Sequence, residues 1–164
     1  MNTFAWVLLV ATFLHSLMAG FLFAFAVVVM PGLRLLEDRE FLRSFQVTDR
    51  VIQNNQPLFM AMWLGSTLSL IIAAVVAVVQ LDGIDRALVV SAALASVLLV
   101  QVPTITINIP LNNTVQALDL DALDSAAAEK AREEFEPKWN RWNVIRTIVA
   151  SAILAVLLVT LGRL

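Results

Sequence analysis

The chain has 164 residues, 60% of them hydrophobic and 15% charged, against roughly 45–50% and about 25% in an ordinary soluble domain. A formal charge of −2 leaves no basic field to hold nucleic acid, which excludes it as a partner. With no cysteine and one histidine, disulfides, thiolate sites and multi-histidine metal sites are excluded as well, so no metal is expected.

Four uncharged stretches set the architecture. Met1–Leu33 runs 33 residues before a charge, Val51–Leu81 runs 31, Ala87–Leu118 runs 32 and Thr147–Gly162 runs 16. A hydrocarbon core about 30 Å thick needs roughly 20 apolar residues as helix. The fourth stretch reaches that only if it takes in Trp142–Ile145, which puts Arg146 inside the helix near one end, where it can snorkel or find a polar partner. The reading is one membrane domain over residues 1–164, with helices at about 4–30, 57–80, 86–109 and 142–161. The first is not a cleavable leader, since it lacks a basic start and is far longer than the roughly 7–15 residues of a signal core. Small residues at a spacing of four recur in every helix: Ser16, Gly20 and Ala24, then Gly65, Ser69, Ala73 and Ala77, then Ser91 with Ala95, and Ser151 with Ala155. Such stripes permit close backbone approach in lipid. With the short turn at Asp82–Asp85 they predict an all-α integral membrane fold, an up-down four-transmembrane-helix bundle.

The two longer connections are read as partly helical, each holding a short amphipathic helix. Between helices one and two, Gln46, Asp49, Arg50 and Gln53 recur at i, i+3, i+4 and i+7 and form one polar face. Pro57 opens helix two. In the connection to helix four, Asp124 or Ser125 caps a short helix ending before Pro137, and its pairs Lys130–Glu134 and Arg132–Glu136 read as a solvated face. These connections and the mouth of helix four carry nine of the eleven basic residues. The positive-inside rule therefore puts both loops in the cytoplasm and both termini outside, in a bacterial inner membrane.

Polar side chains gather at that end of the bundle. Gln101, Thr104 and Asn108 share a helical face, which Asn112 extends if the helix continues; otherwise Asn112 and Asn113 cap the next helix. Pro103 and Pro110 remove amide donors owed to the carbonyls of Leu99 and Thr106, so this face must meet protein or water. At the start of helix four, Trp139, Trp142, Asn143 and Arg146 fall on one face. The tryptophans alone suit an interfacial belt, whereas Asn143 and Arg146 read as inward. An up-down bundle brings these segments together as a locally cationic rim suited to an apolar molecule carrying a carbonyl, phenolate or enolate oxygen. The competing reading is an internal Asp49–Arg146 salt bridge that locks the bundle. His15 lies near mid-membrane and reads as bonded to a neighbouring helix.

Several strings in order, Ala19–Phe25, Met30-Pro31-Gly32-Leu33, Gln46–Arg50, Asn54–Pro57, Asn108-Ile109-Pro110-Leu111-Asn112 and Trp142-Asn143-Val144-Ile145-Arg146, give a chain that resembles an integral membrane family that includes the fungal anthrone oxygenases. The resemblance implies oxidation of anthrones to anthraquinones by O2 without an added cofactor. Arg50, Asn108, Asn143 and Arg146 would then hold the oxygens of a phenolic ring system. Two departures stand out: the histidine of the family's closing Trp-Asn-His-Val-Arg is Val144 here, and Asp49 stands where many relatives have asparagine.

The expected function is binding of a hydrophobic aromatic or quinone-like molecule, with Asp49, Arg50 and Arg146 as the candidate catalytic groups. Gln46, Asn54, Asn108, Asn112, Trp142 and Asn143 are the candidate ligand contacts. Asp49 is the one plausible base, and no cofactor is expected. The alternative is a non-catalytic accessory subunit whose polar cluster is interhelical glue. Lipid surrounds the outer face, and self-association is left open. The charge count makes one firm prediction: a reporter fused after Leu164 reads as outside the cell, and a cytoplasmic signal overturns the orientation.

Overall fold

In a computed structural model, residues 3–164 are described. They form five helices: α1 (Thr3–Leu33), α2 (Asp38–Gln53), α3 (Pro57–Gln80), α4 (Gly83–Gln116) and α5 (Ser125–Gly162). All but α2 are long and apolar enough to cross a membrane, so the chain is an integral membrane protein built as a helical bundle. α1 packs on α3 and α5, and α4 packs on the same two, which puts α1 and α4 on a diagonal.

The breaks between helices follow local chemistry. α2 ends at Gln53, and the chain turns away through Asn55, whose φ of 55° lies in the left-handed region that asparagine tolerates. Gln56 then caps α3 by accepting from the Phe59 amide, with Pro57 in the first turn where its missing N–H costs little. Only Leu81 and Asp82 separate α3 from α4, and Gly83 (φ 58°) supplies the positive φ that this tight reversal needs.

Three elements differ from the sequence expectation. α4 does not stop near residue 109 but runs on to Gln116. Around Pro103 and Pro110 it shifts into π register over Ser96–Gln101 and Thr104–Asn108, with the Val102 amide bonding the Val97 carbonyl and the Ile109 amide bonding the Thr104 carbonyl. Hydroxyls of Thr104, Thr106 and Thr114 bond carbonyls four residues back. The prolines thus change the hydrogen-bond register rather than end the helix. α1 carries a similar π stretch at Phe25–Val29, ahead of Pro31.

The second connection holds no separate short helix. α5 is capped by Asp124, whose carboxylate accepts from the Ala127 amide, and runs from Ser125 through Pro137 for 38 residues, about 57 Å at 1.5 Å per residue. Much of it therefore extends beyond a bilayer core. Pro137 is tolerated because the carbonyl it orphans belongs to Glu133, an exposed residue that water can serve. Nor is the charged face of this segment all solvated. Lys130–Glu134 is exposed, but Glu136 is buried between Arg132 (2.8 Å) and Arg34 (2.9 Å). Arg132 also donates to Asp38 and to the carbonyls of Leu36 and Arg34, and lies 4.4 Å over the Phe41 ring. It ties the α1–α2 connection to α5.

Of the small-residue stripes, the one on α3 faces the bundle. Gly65 and Ser69 are half-buried, Ala73 and Ala77 are buried, and a Cβ on Gly65 would come within 3.3 Å of Leu14. Gly20, Ala24, Ser91, Ser151 and Ala155 point outward; alanine-rich helices produce the spacing on both faces. The membrane core uses Phe4, Leu8, Leu70, Val89, Val100 and Leu157 instead. A second apolar cluster of Phe41, Leu42, Phe45, Val115, Phe135 and Trp139 docks α2 across the end of α4 and α5.

Arg132 therefore carries more of this end than its position predicts. Arg132→Ala strands Glu136 partly paired and frees the α1–α2 connection, and should cost about 3 kcal/mol in denaturation in detergent. Lys130→Ala should stay within about 0.5 kcal/mol.

Candidate functional site

All four long helices and α2 converge on a cavity of about 230 Å³ at the basic end of the bundle. Its apolar walls come from α1 (Met18, Phe21, Leu22, Phe25), α2 (Phe45, Ile52), α3 (Phe59, Met60, Trp63), α4 (Ile109) and α5 (Trp139). The rings are in mutual contact: Phe59 with Phe21 at 5.2 Å between centroids, Phe21 with Phe25 at 4.9 Å, Phe25 with Trp139 at 5.8 Å, and Trp139 edge-on to Phe45 at 5.6 Å. The phenylalanines of α1 fall in its π stretch or the turn before it, where the altered register sets their spacing.

Polar groups enter in layers along α4 and α5. The inner layer centres on Arg146, which is 4% exposed. Its Nη1 donates to Thr104 Oγ1 (2.7 Å), its Nη2 to Asn143 Oδ1 (3.1 Å) and its Nε to the Trp142 carbonyl (3.4 Å). Asn143 in turn donates to the Leu22 carbonyl of α1 (3.3 Å). Three of the five guanidinium N–H groups are thus engaged, all by neutral acceptors. Among the described residues Arg146 has no carboxylate partner.

The outer layer centres on Asp49, 3% exposed. Its Oδ1 accepts from Asn112 Nδ2 (2.7 Å), and its Oδ2 from Gln116 Nε2 (2.9 Å) and Gln53 Nε2 (3.2 Å). Trp139 Nε1 donates to Asn112 Oδ1 (2.7 Å), so α5 orients the amide that α4 presents to α2. Asn112 and Thr104, the partners of Asp49 and Arg146, are eight residues apart on α4, a rise of roughly 12 Å. The two charges share the cavity without forming an ion pair. Asn108 lies between the layers: its Nδ2 donates to the Trp139 carbonyl (3.3 Å), and its Oδ1 has no hydrogen-bond partner among the described residues.

Five of the nine predicted positions line this cavity: Asp49, Asn108, Asn112, Asn143 and Arg146. Four do not. Arg50 is exposed, because it follows the buried Asp49 by one residue and a 100° turn carries it to the outside of α2. Asn54 is the exposed C-cap of α2, while its neighbour Asn55 lines the cavity. Gln46 is buried but structural, donating to the carbonyls of Val115 (2.7 Å) and Leu118 (3.1 Å) at the end of α4. Trp142 is half-buried and contributes its carbonyl to Arg146. Sequence reasoning did not select Phe59, Met60 or Trp63 for the site, since nothing distinguishes them from other apolar residues of a spanning helix. It also passed over Gln116, whose link to Asp49 depends on α4 continuing past Pro110. Gln101 faces inward as expected but serves the α3–α4 contact, accepting from Trp63 Nε1 (2.9 Å) and donating to Thr67 (2.8 Å). His15 bonds the Ala150 carbonyl of α5 (3.0 Å).

Position 144, where the closing motif of the resembled family carries histidine, is 44% exposed on the outer face of α5. A side chain there does not reach the cavity, so valine removes nothing from it. Val144→His should change stability in detergent by less than about 1 kcal/mol, whereas Asn143→Leu, which deprives Arg146 of an acceptor, should cost about 2–3 kcal/mol.

No curated protein and no solved structure matches the chain. The sequence model of the family described as Anthrone oxygenase matches residues 55–157, covering α3, α4 and α5 as far as Leu157. That match spans more than half of the chain and includes the segments that supply Asn108, Asn112, Asn143 and Arg146; the chain belongs to the anthrone oxygenase family.

Proposed function

We propose that the cavity binds a planar aromatic molecule whose ketone or phenolate oxygen accepts hydrogen bonds from Arg146. The observation that carries this reading is a guanidinium buried beside an aromatic-walled space, held by neutral acceptors alone and with two N–H groups uncommitted. A buried cation of this kind costs free energy unless an anion or a strong dipole completes its shell. An oxygen that gains negative charge during reaction supplies that complement best when the donors are already in place. Family membership suggests the reaction: O2-dependent oxidation of an enolisable aromatic ketone, with Asp49 as the carboxylate able to take the proton and Arg146 bearing on the enolate oxygen. Lipid-soluble substrates would partition into the bilayer that surrounds the bundle, and the basic end would face the cytoplasm.

A second reading keeps the cluster but drops the ligand. Asn143 bonds α1, Asn108 and Asn112 join α4 to α5 and α2, and Gln46 and Gln116 join α2 to α4, so the same side chains hold the helices together. On that reading the chain is an accessory subunit and the cavity has no occupant.

Two measurements separate these. Purified protein in detergent, incubated in air with 9-anthrone, should consume O2 faster than the Arg146→Ala form; equal rates end the enzyme reading for that substrate. Binding, followed by quenching of Trp139 and Trp63, should weaken at least tenfold in Arg146→Met, as expected for loss of a charged hydrogen bond of about 1.5–3 kcal/mol. No saturable quenching in the parent protein would leave the accessory reading.

A further inference from the structure

We infer that the cavity opens sideways into the bilayer through a gap between α3 and α4, and that it takes an aromatic head group whose aliphatic chain leaves through this gap. The inference rests on the ligand-binding reading above and adds to it the route of entry and the class of molecule that can use it.

The gap follows from where α3 finds partners. Beyond Gly65 its inner face is buried, at Ser66, Leu70, Ala73 and Ala77. From Pro57 to Gly65 every residue is exposed or half-buried, although Phe59, Met60 and Trp63 line the cavity. α3 packs on α4 along Gly83–Ala95 and draws away from it beyond that point, whereas α5 follows α4 as far as its last turns. The parting begins where α4 enters its first π stretch, at Ser96, and such a stretch redirects a helix axis. Side-chain size agrees. Near the tight reversal the two helices bury small residues, Ala73 and Ala77 on one and Ala92 and Ala93 on the other, which permit close approach. Toward the basic end the link between them is made by the long side chains of Trp63 and Gln101.

The other sides of the cavity are held together. α1 meets α3 at Leu14 beside Gly65 and again through the Phe21–Phe59 ring pair. Asn143 of α5 reaches the Leu22 carbonyl of α1, and Arg146 and Trp139 bond Thr104 and Asn112 of α4. Across the outer end, Asp49 accepts from the amides of α4, and Gln53 donates to Asn113 Oδ1 (3.0 Å). Between α3 and α4 the hydrogen bonds of Gln101 with Trp63 and Thr67 mark the inner margin of the gap. Past them the rims are Met60 and Ile109, both in the cavity wall, and Leu64 and Ile105 beside them are exposed where lipid lies. An alkyl chain crossing there stays among apolar surfaces throughout. A cavity of about 230 Å³ holds a ring system but not a long chain as well, so the chain trails into the bilayer while the ring oxygens remain beside Arg146.

The test uses the full chain in phosphatidylcholine nanodiscs with 4-hydroxyacetophenone and its octanoyl and hexadecanoyl homologues, which keep the phenol and the ketone and change only the chain. Affinities come from tryptophan quenching, with each compound's concentration expressed per lipid and referenced to empty nanodiscs. The two long-chain compounds should bind within threefold of the acetyl compound. A hexadecanoyl compound carrying a diazirine near the ketone should, on illumination, label α3 within Phe59–Leu64 or α4 within Thr104–Ile109. A loss of more than threefold with chain length overturns the inference while the binding reading stands on the acetyl compound. Labels confined to α1, α2 or α5, or none on α3 and α4, overturn it as well. No saturable quenching by any of the three overturns both. All of these measurements use the parent protein, so none depends on a variant that folds.

Discussion

A guanidinium that leaves water must be solvated by whatever surrounds it, and the buried Arg146 donates three hydrogen bonds to protein acceptors. Its three engaged N–H groups reach a threonine of α4, an asparagine one turn back on α5 and a carbonyl of its own helix. Each acceptor has been brought there by another constraint. Thr104 opens the second π stretch of α4, directly after Pro103, and Asn143 is held by the Leu22 carbonyl of α1. Satisfying one charge therefore recruits three of the four spanning helices. Among the described residues no carboxylate joins them, which leaves the cation's field directed into the cavity instead of cancelled within the wall.

Asp49 shows the opposite solution to the same problem. It lies on α2, at the boundary between the bundle and the loops, and three amide side chains satisfy it where a basic residue could have done so. Amides satisfy a carboxylate without neutralising it, so both charges remain formally intact at opposite ends of one cavity. Their partners on α4 are roughly 12 Å apart along the helix, and aromatic rings line the cavity between them.

Most of the architecture was legible because lipid imposes a coarse rule: uncharged runs of the right length become spanning helices, and inward polar faces show themselves at helical spacing. Gln101, Thr104, Asn108, Asn143 and Arg146 were found in this way, and all are buried. The illegible part came from two sources. Proline is read as a stop, yet α4 and α5 both pass through it, by π register in one and by an exposed carbonyl in the other; the role of Gln116 and the long polar extension of α5 emerge only once that is known. The second source is angular. A period-3.6 pattern marks a face about 100° wide, and Arg50 and Trp142 sit at the edges of theirs, where a residue's side of the boundary is set by packing. The small-residue stripe on α3 marks a contact while Gly20, Ala24, Ser91, Ser151 and Ala155 do not, since alanine is common enough to make the spacing on any face.

The aromatic chain from Phe59 to Phe45 joins α3, α1, α5 and α2 through ring contacts, and those same rings form the cavity wall. Packing and binding thus draw on one set of side chains. Trp139 makes this explicit: its ring packs against Phe45 and Phe25, its indole N–H orients Asn112 and hence Asp49, and its carbonyl fixes the amide of Asn108. A residue that sequence patterning places equally well in an interfacial belt is, in the folded chain, the point that aligns the outer polar layer and Asn108 beside it. The site is accordingly preorganised by the core of the basic end, with the Asn108 amide held through its Nδ2 by the Trp139 carbonyl of the helix that also carries Arg146.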